Sequence, residues 1–209
     1  MDEDLVVLVD DDGSPRGTAD RLTVHGPDTP LHFAFSCHLV DDHGRILMTR
    51  RALSKKTWPG VWTNSFCGHP RPGESVEAAV ARYSQRELGL DVADLRPIIP
   101  GFRYRAVDAS GVVENEVCPV FAARPVGDVD PNPDEVMQYT WAPVDDIWEI
   151  ARRTPWMLSP WFVDQIALLG ELGIRRRHHV DHRVGDDLHR RLRCAEQSHR
   201  ADHSTQQSP

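Results

Sequence analysis

The apolar period of this chain changes between two neighbouring segments, and that change limits what it can fold into. From Leu31 to Val40 the residues Phe33, Phe35, Cys37 and Leu39 alternate, so they share one face of an extended strand. From Glu74 to Leu88 the apolar positions Val76, Ala79, Val80 and Tyr83 recur at helical spacing, and Gly89 stops the run. A chain that carries both patterns needs sheet and helix layered around a shared core. Leu5–Val9 reads as a further strand that ends at an Asp-Gly turn, and Arg45–Arg50 as another, entered through Asp42-His43-Gly44. Val61–His69 is extended. Ile98–Arg105 and Val112–Ala123 are strands around Ser110-Gly111, and Val136–Ala142 is one more. Pro143 opens a second helix with Asp145 and Asp146 in its first turn, and Ser159-Pro160 caps a third that ends near Gly173. The expectation is a single α/β (α+β) domain over residues 1–174, with mixed β-sheet layers flanked by helices.

From Arg175 onward the periodicity fails. Residues 175–209 hold eight Arg, five acids and six of the eleven histidines, which predicts a disordered polar tail. The net charge of −8 therefore hides an acidic body of −11 over residues 1–174 and a basic tail of +3. Such a body is a poor general nucleic-acid binder. It must hold any acidic substrate through a local cationic site or a metal. The four cysteines, Cys37, Cys67, Cys118 and Cys194, form no CxxC pair, so free thiols in a reducing compartment are expected. The N-terminus lacks the positive charge of a signal peptide, and no window approaches a membrane span. These features predict a soluble cytoplasmic protein, with a monomer as the default.

Several polar residues do not fit a plain core. Glu114 and Glu116 share a face of their strand, so the pair needs a cation, a shared proton or open water. His25, His32 and His69 add nitrogen donors of the kind that, with carboxylates, hold a divalent ion. Glu87 falls on the apolar face of its helix, where a carboxylate is costly unless paired or metal-bound. Arg50, Arg51, Lys55 and Lys56 cluster before a Gly/Pro turn and suit a phosphate clamp that Arg21 could join. Trp58, Trp62, Trp156 and Trp161, with Tyr104, are numerous enough to wall a dry pocket or to fill a core. Cys67 lies two positions before His69. Metal ligand, nucleophile, redox partner and core filler are all open to it on this evidence.

The segments TRRALSKKTWPGVWTNSFCGHP, FRYRA, GVVENEVCPVFAAR and TPWMLSPW, in this order, resemble type I isopentenyl-diphosphate Δ-isomerase from about Leu5 to Gly173. Gly68, Glu74, Arg82, Glu87 and Gly89 resemble a degenerate Nudix box, and that family is similar to Nudix hydrolases in fold. Tyr83 and Arg86 stand where a hydrolase would carry catalytic glutamates, which argues for isomerisation over the alternative, a Nudix-type diphosphate hydrolase. The resemblance implies a small isoprenoid diphosphate substrate, with Cys67 and Glu116 as the catalytic acid/base pair. It implies Tyr104 as the hydrogen-bonding partner of Glu116 and Trp161 as the cation-stabilising ring. His25, His32, His69, Glu114 and Glu116 resemble five ligands of one Mn²⁺, Zn²⁺ or Mg²⁺. Glu87 resembles the ligand of a second ion, a diphosphate-bridging Mg²⁺, with the Cys67 carbonyl nearby. Arg21, Arg51 and Lys55 resemble the phosphate clamp. Gly68 replaces a serine, which leaves its backbone N–H for the substrate.

Overall fold

The computed structural model describes residues 4–171. Among them the chain runs β1 (Leu5–Val9), β2 (Pro15–Asp20), β3 (His32–Phe33), β4 (Phe35–Leu39), β5 (Arg45–Arg51), β6 (Trp62–Thr63), β7 (Phe66–Gly68), α1 (Val76–Leu88), β8 (Asp91–Ile99), β9 (Arg103–Val107), β10 (Val113–Val117), β11 (Val120–Val126), β12 (Val136–Pro143), α2 (Val144–Arg153) and α3 (Pro160–Glu171). A 3₁₀ turn, Pro155–Met157, precedes α3. The strands form three sheets, ordered β2-β1-β3-β10-β9, β7-β4-β11-β8 and β12-β5-β6. The expected mixed α+β architecture is what forms. The expected tail at 175–209 and the end of the last helix near Gly173 lie outside the described residues.

Four expected strands are each divided. Leu31–Val40 breaks at Ala34, and Val112–Ala123 breaks at Cys118-Pro119, where proline has no N–H for a ladder. The two breaks lie side by side. β3 pairs in parallel with β10 before the break, and β4 pairs in parallel with β11 after it. The two chains cross together from the first sheet to the second, and Ala34 N–H donates to the Val117 carbonyl at the crossing. Val61–His69 divides in the same way at Asn64-Ser65, with β6 in the third sheet and β7 in the second. Ile98–Arg105 is the end of β8, a turn at Pro100-Gly101, and the start of β9. β2 was not expected. Its sequence PRGTAD is almost wholly exposed and carries no apolar alternation, and it forms by pairing along β1.

Every residue of β4 is buried, because helices cover both faces of that sheet. Phe35, Cys37 and Leu39 pack with Ala79, Val80 and Tyr83 of α1. Val120 and Ala122 of the neighbouring strand pack on the other side, with Trp161, Phe162 and Ile166 of α3. Ser75 caps α1 by accepting from Ala78 N–H at 3.2 Å, and Gly89 ends it in the left-handed region at φ 65°. A side chain at Gly89 would also meet the Asp130 carbonyl at 2.7 Å.

Candidate active site

The parallel pairing of β3 with β10 sets His32 directly beside Glu116, and the antiparallel β9 sets Tyr104 opposite Glu116 on the other side. His69 follows β7, and His25 lies in the loop after β2. One donor atom from each of His25, His32, His69 and Glu116 lies within 4.8 Å of all the others. His69 Nε2 is 3.1 Å from Glu116 Oε1 and 3.2 Å from His32 Nε2. His32 Nδ1 donates to the Pro30 carbonyl at 2.9 Å, so its Nε2 keeps a lone pair toward the cluster. His25 Nε2 is buried without a hydrogen bond. Imidazole nitrogens this close, one of them orphaned, fit a divalent cation among them. Glu114 adjoins the group: its Oε2 lies 3.2 Å from His25 Nε2, while Thr57 Oγ1 donates to its Oε1 at 2.6 Å. Burial pushes the Glu116 carboxyl up, but the adjacent His32 and His69 rings outweigh it and hold the group well below the usual range. Burial, with the charges of Glu116 and Glu114, pushes the Tyr104 phenol well above its ordinary range. Tyr104 forms no hydrogen bond to Glu116 in this structure; the expected partnership is present as register only.

Cys67 sits at the centre of β7, its sulfur 3.4 Å from Ser36 Oγ and 3.3 Å from Asn64 Nδ2. Burial pushes its thiol up to about 12 against the pull of those two neighbours, so the sulfur holds its proton at neutral pH. Trp161, 2% exposed, stands edge-on to Trp58 at 5.2 Å and tilted against Tyr104 at 5.4 Å. Of the four tryptophans expected as pocket or core, Trp161 lines the cavity, Trp58 and Trp62 pack against the core beside it, and Trp156 does neither. It is 78% exposed, because the 3₁₀ turn before α3 points it outward.

Cys67, Glu116, Tyr104 and Trp161 line one cavity of about 440 Å³. Arg21, Arg51, Lys55, Lys56 and Glu87 line the same cavity. Each of the cations is aimed by a second partner. Arg21 Nε donates to Asp4 at 2.6 Å, and Arg51 donates to the Thr57 carbonyl at 2.9 and 3.0 Å. Lys55 donates to Glu135, and Lys56 to the His25 carbonyl. Arg50 does not line the cavity; it donates to the Gly60 carbonyl and to Gln138. Burial raises Glu87 to about 6, with Lys55 opposing that shift and Glu135 adding to it. A buried carboxylate so raised gains from any positive charge placed beside it. Gly68 also lines the cavity, and a Cβ there would meet the Tyr83 ring at 2.5 Å, so a serine has no room while Tyr83 stays.

The NUDIX domain model matches residues 30–162. The isopentenyl-diphosphate Delta-isomerase of Frankia alni is 57% identical over 81% of this chain and 87% of its own. That of Mycolicibacterium vanbaalenii is 53% identical over 83% of this chain and 96% of its own. This chain belongs to the isopentenyl-diphosphate Delta-isomerase family. Two solved structures share its fold. A Deinococcus radiodurans protein superposes with a TM-score of 0.60 at 17% identity, over 78% of this chain and 98% of that one. A MutT protein from Methanosarcina mazei gives 0.54 at 20%, over 70% and 97%.

Beside the residues that resemble the isomerase family's motif, the cavity wall and the buried layer behind it hold several that sequence reasoning passed over. Thr57, 5% exposed, accepts from Arg51 Nη2 at 3.1 Å and donates to Glu114, so it links Arg51 to the acidic residue beside the histidine cluster. Glu135 pairs with both Lys55 and Arg86. Asn64 and Ser36 back the Cys67 sulfur. Thr57 and Asn64 lie inside the longest motif of the isomerase resemblance, a signal by which they could have been found. Glu135 and Ser36 carry no local pattern.

Proposed function

We propose that this chain converts isopentenyl diphosphate to dimethylallyl diphosphate, with Cys67 and Glu116 as its two proton-transfer groups. The observation that carries this reading is one cavity lined by a protonated thiol, an ionised carboxylate, a buried indole and several aimed cations. Moving the double bond adds a proton at C4 and removes one from C2, on opposite faces of a flat alkene. Cys67 and Glu116 together hold one proton and one vacant proton site, which is the balance this reaction needs. The positive charge that develops at C3 faces the Trp161 ring, which lines the cavity and whose electron-rich face stabilises it. Arg21, Arg51 and Lys55 bind the diphosphate, with the Gly68 N–H beside them.

His25, His32, His69 and Glu116, with Glu114 beside them, would hold one divalent ion. Glu87, with the Cys67 carbonyl, would hold a Mg²⁺ that arrives on the diphosphate. Bound there, the ions supply fixed positive charge that orients Glu116 and neutralises the phosphates. Nitrogen donors favour Mn²⁺ or Zn²⁺ at the histidine site, while the carboxylates admit Mg²⁺. Against diphosphate hydrolysis, α1 presents Tyr83 and Arg86 to the cavity, and Glu87 is its acid there. No helix among the described residues is long and apolar enough to cross a membrane. With Cys37, Cys67 and Cys118 free, the reading takes a cytoplasmic monomer as the working form.

The test is incubation with isopentenyl diphosphate and Mg²⁺ in D₂O, followed by ¹H and ³¹P NMR. Deuterium in the new methyl group with the diphosphate intact is expected. Release of inorganic phosphate would move the assignment to hydrolysis. Cys67→Ala is expected to lower turnover by at least about 10³-fold while the fold and bound metal are retained, measured by circular dichroism and metal analysis.

A further inference from the structure

Asn64 occupies the crossing between β6 and β7 and is fully buried. Its amide orientation is fixed by chemistry. Nδ2 faces the Phe66 carbonyl at 2.8 Å and the Cys37 carbonyl at 3.2 Å, which only accept. Oδ1 faces Trp161 Nε1 at 3.1 Å, which only donates, and Thr63 Oγ1 at 2.9 Å. The Cys67 sulfur lies against the same amide, 3.3 Å from Nδ2 and 3.4 Å from Oδ1. One planar group therefore touches the sulfur on β7 and the indole on α3.

We infer that Asn64 is a positioning residue that sets the Cys67 sulfur and the Trp161 ring in register with each other across the cavity. This inference rests on the catalytic reading of Cys67 and Trp161 given above. Holding the two backbone carbonyls alone would need only the Nδ2 side of the amide. The Oδ1 side is spent on Trp161 and on Thr63, whose hydroxyl continues to Ser159 at 2.7 Å, directly before α3. One turn further along α3, Gln165 Oε1 accepts from Ser36 at 3.2 Å and bonds His38 Nε2 at 2.9 Å, and Ser36 returns to the same sulfur at 3.4 Å. Two polar links on one face of α3 thus converge on Cys67, and both pass through fully buried residues. The proton moves at the sulfur while the charge grows opposite the ring, so their separation matters in the same step. A misplacement of about 1 Å between such groups costs roughly 10²-fold in rate.

The test compares Asn64→Asp and Asn64→Ser with the wild type for kcat, KM and the alkylation rate of Cys67 by iodoacetamide at one fixed pH, read on the Cys67 peptide by mass spectrometry. Aspartate keeps the acceptor for Trp161 and loses the donor to the sulfur; serine disturbs both ends. The expected result is a kcat per folded molecule lower by roughly 10-fold for aspartate and 100-fold for serine, with KM within about threefold and Cys67 alkylation altered in both. A kcat within twofold of wild type together with unchanged alkylation overturns the inference, as does a parallel loss in kcat and KM. Altered alkylation with unchanged kcat upholds Asn64 as the residue that sets the sulfur, and refutes instead the catalytic role of Cys67. Should neither variant fold, hydrogen exchange of the Trp161 indole N–H in the wild type decides. Exchange as slow as core amides is expected, and exchange at the rate of a free indole overturns the inference.

Discussion

His38 and Glu87 show how single residues tie this fold to pH. His38 is 1% exposed on the face of β4 toward α3, with Nε2 against the Gln165 carbonyl oxygen and Nδ1 without a partner. Burial lowers its pKa to about 4 from an ordinary 6.5, so the folded protein holds it neutral. The unfolded chain binds a proton there first, so this contribution is present above pH 6.5 and lost as pH falls through 4. The loss amounts to about 3 kcal/mol. Urea denaturation between pH 7 and 4 is expected to show that extra loss in wild type relative to His38→Gln. Glu87 has the opposite sign. Its folded pKa of about 6 lies above the ordinary 4.5, so its stabilisation is present below pH 4.5 and lost as pH rises through 6. Glu87→Gln is expected to raise the stability of the metal-free protein at pH 7 by about 2 kcal/mol while abolishing most turnover. Thermal melts without metal, beside the isomerase assay, check both halves.

At the scale of elements, a close contact between β7 and α1 shapes one wall of the cavity. The Tyr83 ring lies where a side chain at Gly68 would sit, with the guanidiniums of Arg82 and Arg86 4.7 and 6.0 Å from its centroid. This explains the glycine within a strand that carries both Cys67 and, just beyond, His69. Gly68→Ser is expected to cost about 1–3 kcal/mol, and the cost to shrink in Gly68→Ser/Tyr83→Ala when each is referred to its parent. A double-mutant cycle in urea measures the coupling; additive losses would mean that the strain is not at this contact. The crossings at Ala34, Asn64-Ser65 and Cys118-Pro119 act at the same scale. Ser65 Oγ accepts from Leu39 N–H at 2.7 Å and donates to the Leu47 carbonyl at 2.7 Å, so the backbone groups freed at a crossing are satisfied by side chains.

For the whole molecule, the acidic body gathers five of its 16 basic residues at one cavity. Arg21, Arg51, Lys55, Lys56 and Arg86 meet at the cavity although the domain as a whole is strongly acidic. Binding of the anionic substrate therefore depends on a local field, and KM is expected to rise with ionic strength more than kcat falls. The described residues contain the cavity and every proposed ligand and clamp residue. Removal of residues 178–209 is therefore expected to leave turnover within about twofold of the full chain, measured on the purified truncation. A large loss would give the tail a part in the reaction.

The sequence by itself determined the elements whose signals are local. The helical period and Gly89 define α1 within two residues of the expected Glu74–Leu88, and short β-rich runs mark β1, β5 and β12. It also put Glu114 and Glu116 on one face and Glu87 on a buried one, since period alone fixes those directions. The motifs marked Cys67, His69 and Trp161. Only the tertiary structure decided where strands divide, because a chain changes sheet according to its neighbours, and β3 and β10 break where they do by crossing together. It decided that Trp156 faces outward, that Arg50 turns from the cavity, and that Glu135 aims Lys55. Asn64 belongs with these. Its part depends on a sulfur three residues away and on an indole from the last helix, and a distance between remote segments leaves no periodic trace in the chain.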